Sequence, residues 1–407
     1  MSGARVFGWL ARLVVLGFVV SACASDAREL NDPSSGMESM PDSMHAVSDT
    51  LATPGVQAAV VVPQTQTAAD PTAAKLAQAS GSGPGQQAPP AYAKLRVFVA
   101  SETTEQVWVL EGAPKAQFAV VARIPVGKLP HQMAISPDGK WVAVNDRLSD
   151  QTSIIDPVAM KEVARVKVGK QPHGITFSPD SKILYVAHER DAYIARLEVG
   201  TWKPLAPIIV GVPQHVLTMS VDRPNELLFT VTNSLEADHL RSIDLTTNQI
   251  TRFKVQDVHD AYYTPDLSEI WSSSSGFIGK PSDRIVISDP ATKTVKQEIH
   301  LGPGRYPFHT EKVNQDGLYF LPDKSIMVIS DHSGPALLWI DYKARKIVGE
   351  TKVGAQPFHT TYDPEGERML LTTNVDGMVN IIDVNTRAVV QKVAVPAPHG
   401  IAAVGIP

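Results

Sequence analysis

The chain has 407 residues, of which 43% are hydrophobic, 19% charged and 6% aromatic, with a formal net charge of −5 at pH 7. That length is ample for a large core, and the mildly acidic balance excludes the basic footprint of a nucleic-acid binder. Glycine (27) and proline (31) are plentiful, which favours many short turns over long helices, and the single cysteine excludes an internal disulfide framework.

The first residues read as an export signal. Arg5 and Arg12 accompany an apolar run over residues 13–20 that is too short to span a bilayer. The run ends in Val20-Ser21-Ala22-Cys23, which resembles the bacterial lipobox. The resemblance implies that residues 1–22 are a lipoprotein signal peptide and that Cys23 is lipidated as the first mature residue. Ala24 stands where an aspartate would signal inner-membrane retention. The implied location is therefore the periplasm or cell surface, with a lipid anchor in the outer membrane.

Residues 23–92 read as a disordered tether rich in Ser, Ala, Gln and Pro, as in Ala79-Ser80-Gly81-Ser82-Gly83-Pro84-Gly85. Such a segment cannot bury enough apolar surface to offset its ordering entropy. Within it, Met37, Met40, Met44 and His45 place three of the ten methionines beside a histidine. Thioethers suit Cu(I), which makes these residues a candidate auxiliary metal site; a chance cluster in a low-complexity run accounts for them equally simply.

From Leu95 the chain is periodic, and the period governs the fold assignment. The clearest unit is Pro130-His131-Gln132-Met133-Ala134-Ile135-Ser136-Pro137-Asp138-Gly139, which recurs as Pro172-His173-Gly174-Ile175-Thr176-Phe177-Ser178-Pro179-Asp180-Ser181. Degenerate copies carry His215, His259, His309, His359 and His399, so that successive histidines lie 42, 42, 44, 50, 50 and 40 residues apart. Each unit predicts four strands. An apolar strand leads to a Pro-Asp turn, a second strand follows, a third ends in Ile-Asp, and a fourth closes on Val-Gly. Four strands in roughly 40 residues is the spacing of a propeller blade.

Residues 95–127 supply three strands without a first one, and residues 400–407 supply one. These fragments complete a seventh blade, so the predicted fold is an all-β, seven-bladed propeller over 93–407, closed by a composite of both ends. The repeat, with its Pro-His-Gly, Ser-Pro-Asp-Gly, Ile-Asp and Val-Gly motifs, resembles the YVTN family of exported and cell-surface bacterial propellers over about 310 residues. That scaffold specifies fold well and function poorly.

Seven of the twelve histidines (His131, His173, His215, His259, His309, His359 and His399) occupy one phase of the repeat, just before the first strand. In propellers that strand lines the central channel, so the seven are expected to face the axis as a candidate metal site. A histidine after proline is also a common turn residue, and one or two would need no other explanation. Seven neutral imidazoles suit copper, zinc, iron or nickel, with copper highest in affinity order. The arrangement resembles nitrous-oxide reductases, where seven histidines at a seven-bladed hub hold a copper–sulfide cluster. This chain lacks their His-His pair and cupredoxin domain.

Asp146, His188, Asn233, Asp331, His332, Asn374 and Asp376 follow the second strands as turn formers or outer ligands. Arg305, Tyr306 and Asp260 flank ring histidines. No P-loop, dinucleotide fingerprint, nucleophile elbow or heme-attaching Cys-x-x-Cys-His is present. The leading expectation is a tethered metal-binding propeller, with copper as cofactor, serving metal handling or redox chemistry. Its partners would be a metal ion and a periplasmic redox or metal-delivery protein. A heme-type tetrapyrrole propeller and a protein-interaction scaffold are the alternatives.

Overall fold

A computed structural model describes residues 92–231, 238–274, 283–302, 307–309, 320–321, 326–331 and 334–406, with the backbone alone for 307–309 and 320. The expectations placed on residues 1–22, Cys23, Met37, Met40, Met44 and His45 lie outside these residues. Every described element is a strand, and the strands form seven antiparallel sheets. Six blades run in chain order from Pro130. In the seventh, Pro398–Ile406 pairs with Lys94–Ser101, which continues through Gln106–Gly112 to Ala119–Pro125. The composite closure expected from the two fragments is therefore present.

The tether boundary shifts slightly. Tyr92 is buried, and its hydroxyl donates to Glu365 at 2.5 Å, so the propeller begins with it.

Burial changes across each blade. The innermost strands Pro130–Ile135, Pro172–Phe177, Val258–Tyr263 and Pro357–Tyr362 are buried throughout, so their sequences show no alternation of apolar and polar residues. The outermost strands Lys161–Lys167 and Ala388–Ala394 alternate exposed and half-buried residues. Apolar clusters cement neighbouring blades. Val328, Trp339 and Val353 meet Leu371 and Ile382 in one of them. There the Trp339 indole donates to Thr351 Oγ1 at 2.9 Å, which satisfies a fully buried N–H.

The repeat motifs act as turn chemistry. Ser136 Oγ donates to Asp138 Oδ1 at 2.7 Å and accepts from the Trp141 N–H, and Ser178 with Asp180 repeats the pattern. Asp156, Asp244, Asp289 and Asp383, which end third strands, each accept backbone N–H groups from the turn that follows.

Candidate functional site

The innermost strands carry a defect that places the histidines. In the first blade Pro130 pairs with Asp146, but Met133 pairs with Val144, so one extra residue is inserted at His131-Gln132. The same slip occurs at His173, His215, His259 and His399. A bulge of this kind redirects a side chain out of the strand's alternation. The backbone just before it is equally unusual. Leu129 (φ 51°), Gln171 (φ 49°), Gln356 (φ 52°) and Ala397 (φ 39°) are left-handed non-glycine residues, each directly preceding a proline. Such a conformation costs on the order of 1–2 kcal/mol per residue. Their carbonyls are held by the N–H groups of Arg147, Glu189, Asn374 and Glu102 respectively, at 3.0–3.1 Å.

The next contact fixes three of the histidine backbones from the neighbouring blade. Asn145 Nδ2 donates to the His173 carbonyl at 2.7 Å, Thr230 Oγ1 to that of His259 at 2.7 Å, and Thr372 Oγ1 to that of His399 at 2.8 Å. In the sixth blade the equivalent donor, Ser330 Oγ, meets the carbonyl of Phe358 at 3.0 Å. Pro357 pairs with Thr373 as Pro130 pairs with Asp146. Phe358 therefore holds the histidine position there, and His359 lies one residue further along. The expectation of a single phase is corrected for His359, and the same offset is seen at Pro307-Phe308-His309, where His309 pairs with Ile329. A one-residue offset hides easily in a degenerate Pro-Phe-His copy.

Six of the seven histidine side chains are described, and all six are at most 2% exposed. They form a continuous arc. His359 and His399 have ring centroids 4.6 Å apart, His399 stacks on His131 at 3.6 Å, and His173 stacks on His215 at 3.8 Å. Between the stacks, His131 and His173 face each other Nε2 to Nε2 at 3.1 Å, and His215 and His259 do so at 2.7 Å.

The opposite ring nitrogens identify the tautomers. His131 Nδ1 lies 2.8 Å from Glu102 Oε1, His215 Nδ1 3.0 Å from Glu189 Oε1, and His259 Nδ1 2.7 Å from Asp260 Oδ1. His173 Nδ1 lies 3.1 Å from the His215 carbonyl. Carboxylates and carbonyls only accept, so each Nδ1 carries the proton and each neutral ring presents a lone pair at Nε2. Two lone pairs then face each other in both pairs. A shared proton or a metal ion resolves that conflict.

Burial bears on the choice. Burial, reinforced by Arg147 and by the neighbouring imidazoles, holds His131, His173 and His399 well below the usual imidazole range, and burial also lowers His215. A shared proton is thus disfavoured between His131 and His173 near neutral pH. Metal–imidazole bonds of about 2.0–2.1 Å at right to tetrahedral angles set two nitrogens about 2.9–3.3 Å apart, a range that includes the 3.1 Å of His131/His173 and lies above the 2.7 Å of His215/His259. Two sets bring ligand atoms within 4.8 Å of one another: Glu102 with His131 and His399, and Glu189 with His173 and His215. In both, the carboxylate is already bonded to an Nδ1, the arrangement by which carboxylates orient metal-bound histidines. His399 is fully buried, and neither ring nitrogen has a hydrogen-bond partner among the described residues.

Glu102, Arg147 and Glu189 were not singled out by sequence reasoning. They share one place in the repeat, the residue after the second strand, adjacent to the residues that were. Arg147 donates to Glu189 Oε2 from Nε at 2.8 Å and from Nη2 at 2.5 Å. Burial alone would raise Glu189, but its bonds to His215 and Arg147 bring it down to about 2. Asn374 Nδ2 donates to Glu102 Oε2 at 3.1 Å, so this candidate supports the tier from outside.

The remaining strand-end residues are turn clips. His188 Nε2 accepts the Gly169 N–H at 2.9 Å while Nδ1 donates to the Tyr193 carbonyl, and Asp376 accepts the Ala355 N–H. Asp331 ends its second strand, opposite Pro307, and Asn233, His332, Arg305 and Tyr306 lie outside the described residues.

Asp146 accepts the Ser153 hydroxyl, and burial pushes its carboxyl up to about 7. An acid raised this way holds its proton more tightly in the folded state. Its contribution is complete below the ordinary carboxylate pKa and is lost as pH rises toward 7, at up to about 1.4 kcal/mol per pH unit. Urea unfolding of Asp146→Asn at pH 4.5, 6 and 7.5 is expected to show a flatter stability profile than the parent chain. Parallel profiles would refute the assignment.

A family model described as YNCE-like beta-propeller matches residues 62–405. This chain belongs to that family. Its propeller is similar to hydrazine synthase of Kuenenia stuttgartiensis (16% identity, TM-score 0.57, covering 75% of this chain and 99% of that one). It is also similar to the dihydro-heme d1 dehydrogenase NirN in complex with DHE (16%, 0.55, 79% and 77%). A functionally unknown protein of Desulfotomaculum acetoxidans gives 12%, 0.58, 77% and 99%. No curated protein matches. At these identities the structural likenesses speak for the propeller fold.

Proposed function

We propose that this chain is an exported, membrane-tethered propeller that binds a transition metal, copper before others, at the buried histidine cluster. The observation that carries the proposal is the pair of Nε2–Nε2 contacts whose four Nδ1 atoms are all engaged by acceptors. Imidazole nitrogen favours copper in affinity order, and the thioethers of Met37, Met40 and Met44 in the preceding segment suit Cu(I). Metal handling or electron transfer follows from such a site. Lipidation at Cys23 would set it near the outer membrane, within reach of a periplasmic redox or metal-delivery protein.

The test is metal content of the full chain purified from the periplasm with copper supplied, beside a variant with His131→Ala, His173→Ala and His399→Ala. The expected result is stoichiometric copper in the parent and its loss in the variant. A folded parent without transition metal would overturn the proposal.

A tetrapyrrole is the second reading. Support comes from NirN, whose solved structure is a complex with DHE, and from His399, whose buried ring nitrogens have no hydrogen-bond partner among the described residues. That reading expects a Soret band on adding heme to the metal-free chain, and loss of the band in His399→Ala.

A further inference from the structure

The two facing nitrogen pairs are alike in geometry and unlike in the groups that back them. The His131/His173 pair is backed by one carboxylate, Glu102, and one neutral carbonyl, that of His215. The His215/His259 pair is backed by two carboxylates, Glu189 and Asp260. Arg147 stands between the two pairs. It is paired with Glu189 Oε2, which leaves Glu189 Oε1 on His215 Nδ1. The pairs adjoin. They meet through His173 and His215, whose rings stack at 3.8 Å and 24°. Both Nδ1 atoms of these stacked rings are occupied by other acceptors.

We propose that the cluster holds two divalent metal ions rather than one, at His131/His173 and at His215/His259, and that the second position fills first. This rests on the metal-binding reading above. Carboxylates bonded to Nδ1 raise the basicity of Nε2 and so strengthen its bond to a cation. The His215/His259 position has two such carboxylates, and the other has one.

The probe is cobalt(II), which thioethers take up poorly, titrated into the full chain by equilibrium dialysis and followed by its visible ligand-field absorption. The parent should bind two ions in two steps separated at least tenfold. His131→Ala with His173→Ala should remove the weaker step and keep the tighter one. His215→Ala with His259→Ala should do the opposite. Where a double variant fails to fold, Asp260→Asn carries the test: it should weaken the tight step by about 10- to 100-fold and leave the weak step unchanged. Loss of both steps from either pair's removal would mean one shared centre and overturn the proposal, as would a tight step that survives without His215 and His259. A parent that binds neither cobalt(II) nor copper overturns the metal reading itself, a result distinct from one ion or from two equal ones.

Discussion

Deleting residues 398–407 is expected to abolish folding of the propeller rather than trim it. Pro398–Ile406 is the innermost strand of the closing blade, paired along Lys94–Ser101, and it buries Ile401, Ala402 and Ala403 completely or nearly so. Backbone hydrogen bonds of about 1 kcal/mol each and apolar burial near 25 cal/mol per Å² together reach on the order of 10 kcal/mol. That is the whole stability of a typical domain. The deletion also strips a partner edge from Lys94–Ser101, whose residues from Val97 to Ser101 are all buried, and so invites aggregation. Size-exclusion chromatography and urea unfolding decide the matter. A soluble, cooperatively unfolding product close to the parent in midpoint would show that the ring does not need its closing strand.

Gly400→Ala should destabilise strongly at the cost of a single methyl group. A Cβ at Gly400 would collide with the His131 carbonyl oxygen and lie 3.2 Å from Gln132 Cα, both backbone atoms of the next blade's bulge. At Gly174 a Cβ would lie 2.6 Å from the His215 carbonyl and 2.7 Å from the Leu217 nitrogen. Backbone cannot step aside as a side chain can, so the expected loss is about 3 kcal/mol, with reduced metal uptake because His131 itself must shift. Gly349→Ala is the control. Its Cβ would approach Arg387 Nη1 at 2.5 Å, but that group ends a flexible side chain and can move, so the expected loss is below about 1 kcal/mol. Equal losses at Gly400 and Gly349 would sink the argument.

These glycines show which features the sequence revealed and which it hid. Strand order, turn chemistry and closing blade were legible because they depend on local patterns: Ser136 with Asp138, the aspartates at third-strand ends, the buried runs after each histidine. The glycine of Pro-His-Gly was visible as a motif, but its cause lies on the next blade. The bulge was invisible, since one inserted residue leaves no mark in a buried strand without alternation. The offset of His359 was masked by Phe358 beside it. Glu102 and Glu189 escaped notice because each reaches a histidine on the following blade, 29 and 26 residues away. Tracking the residue after each second strand as its own column, as was done for the histidines, would have flagged a charged or polar tier at Glu102, Arg147, Glu189 and Asn374.

The stack of His399 on His131 has a consequence for assembly. His131 lies on the first blade to be synthesised whole, whereas His399 arrives with the last strand of the circle. Their contact is among the most distant along the sequence, so it forms late, after the slow search that long-range pairing demands. The four imidazoles of the first four blades can come together much earlier. An ion captured by that half-built arc would act as a rivet, holding neighbouring blades in register while the rest of the circle forms. Refolding rate would then depend on metal supply, independently of how much the ion stabilises the finished protein.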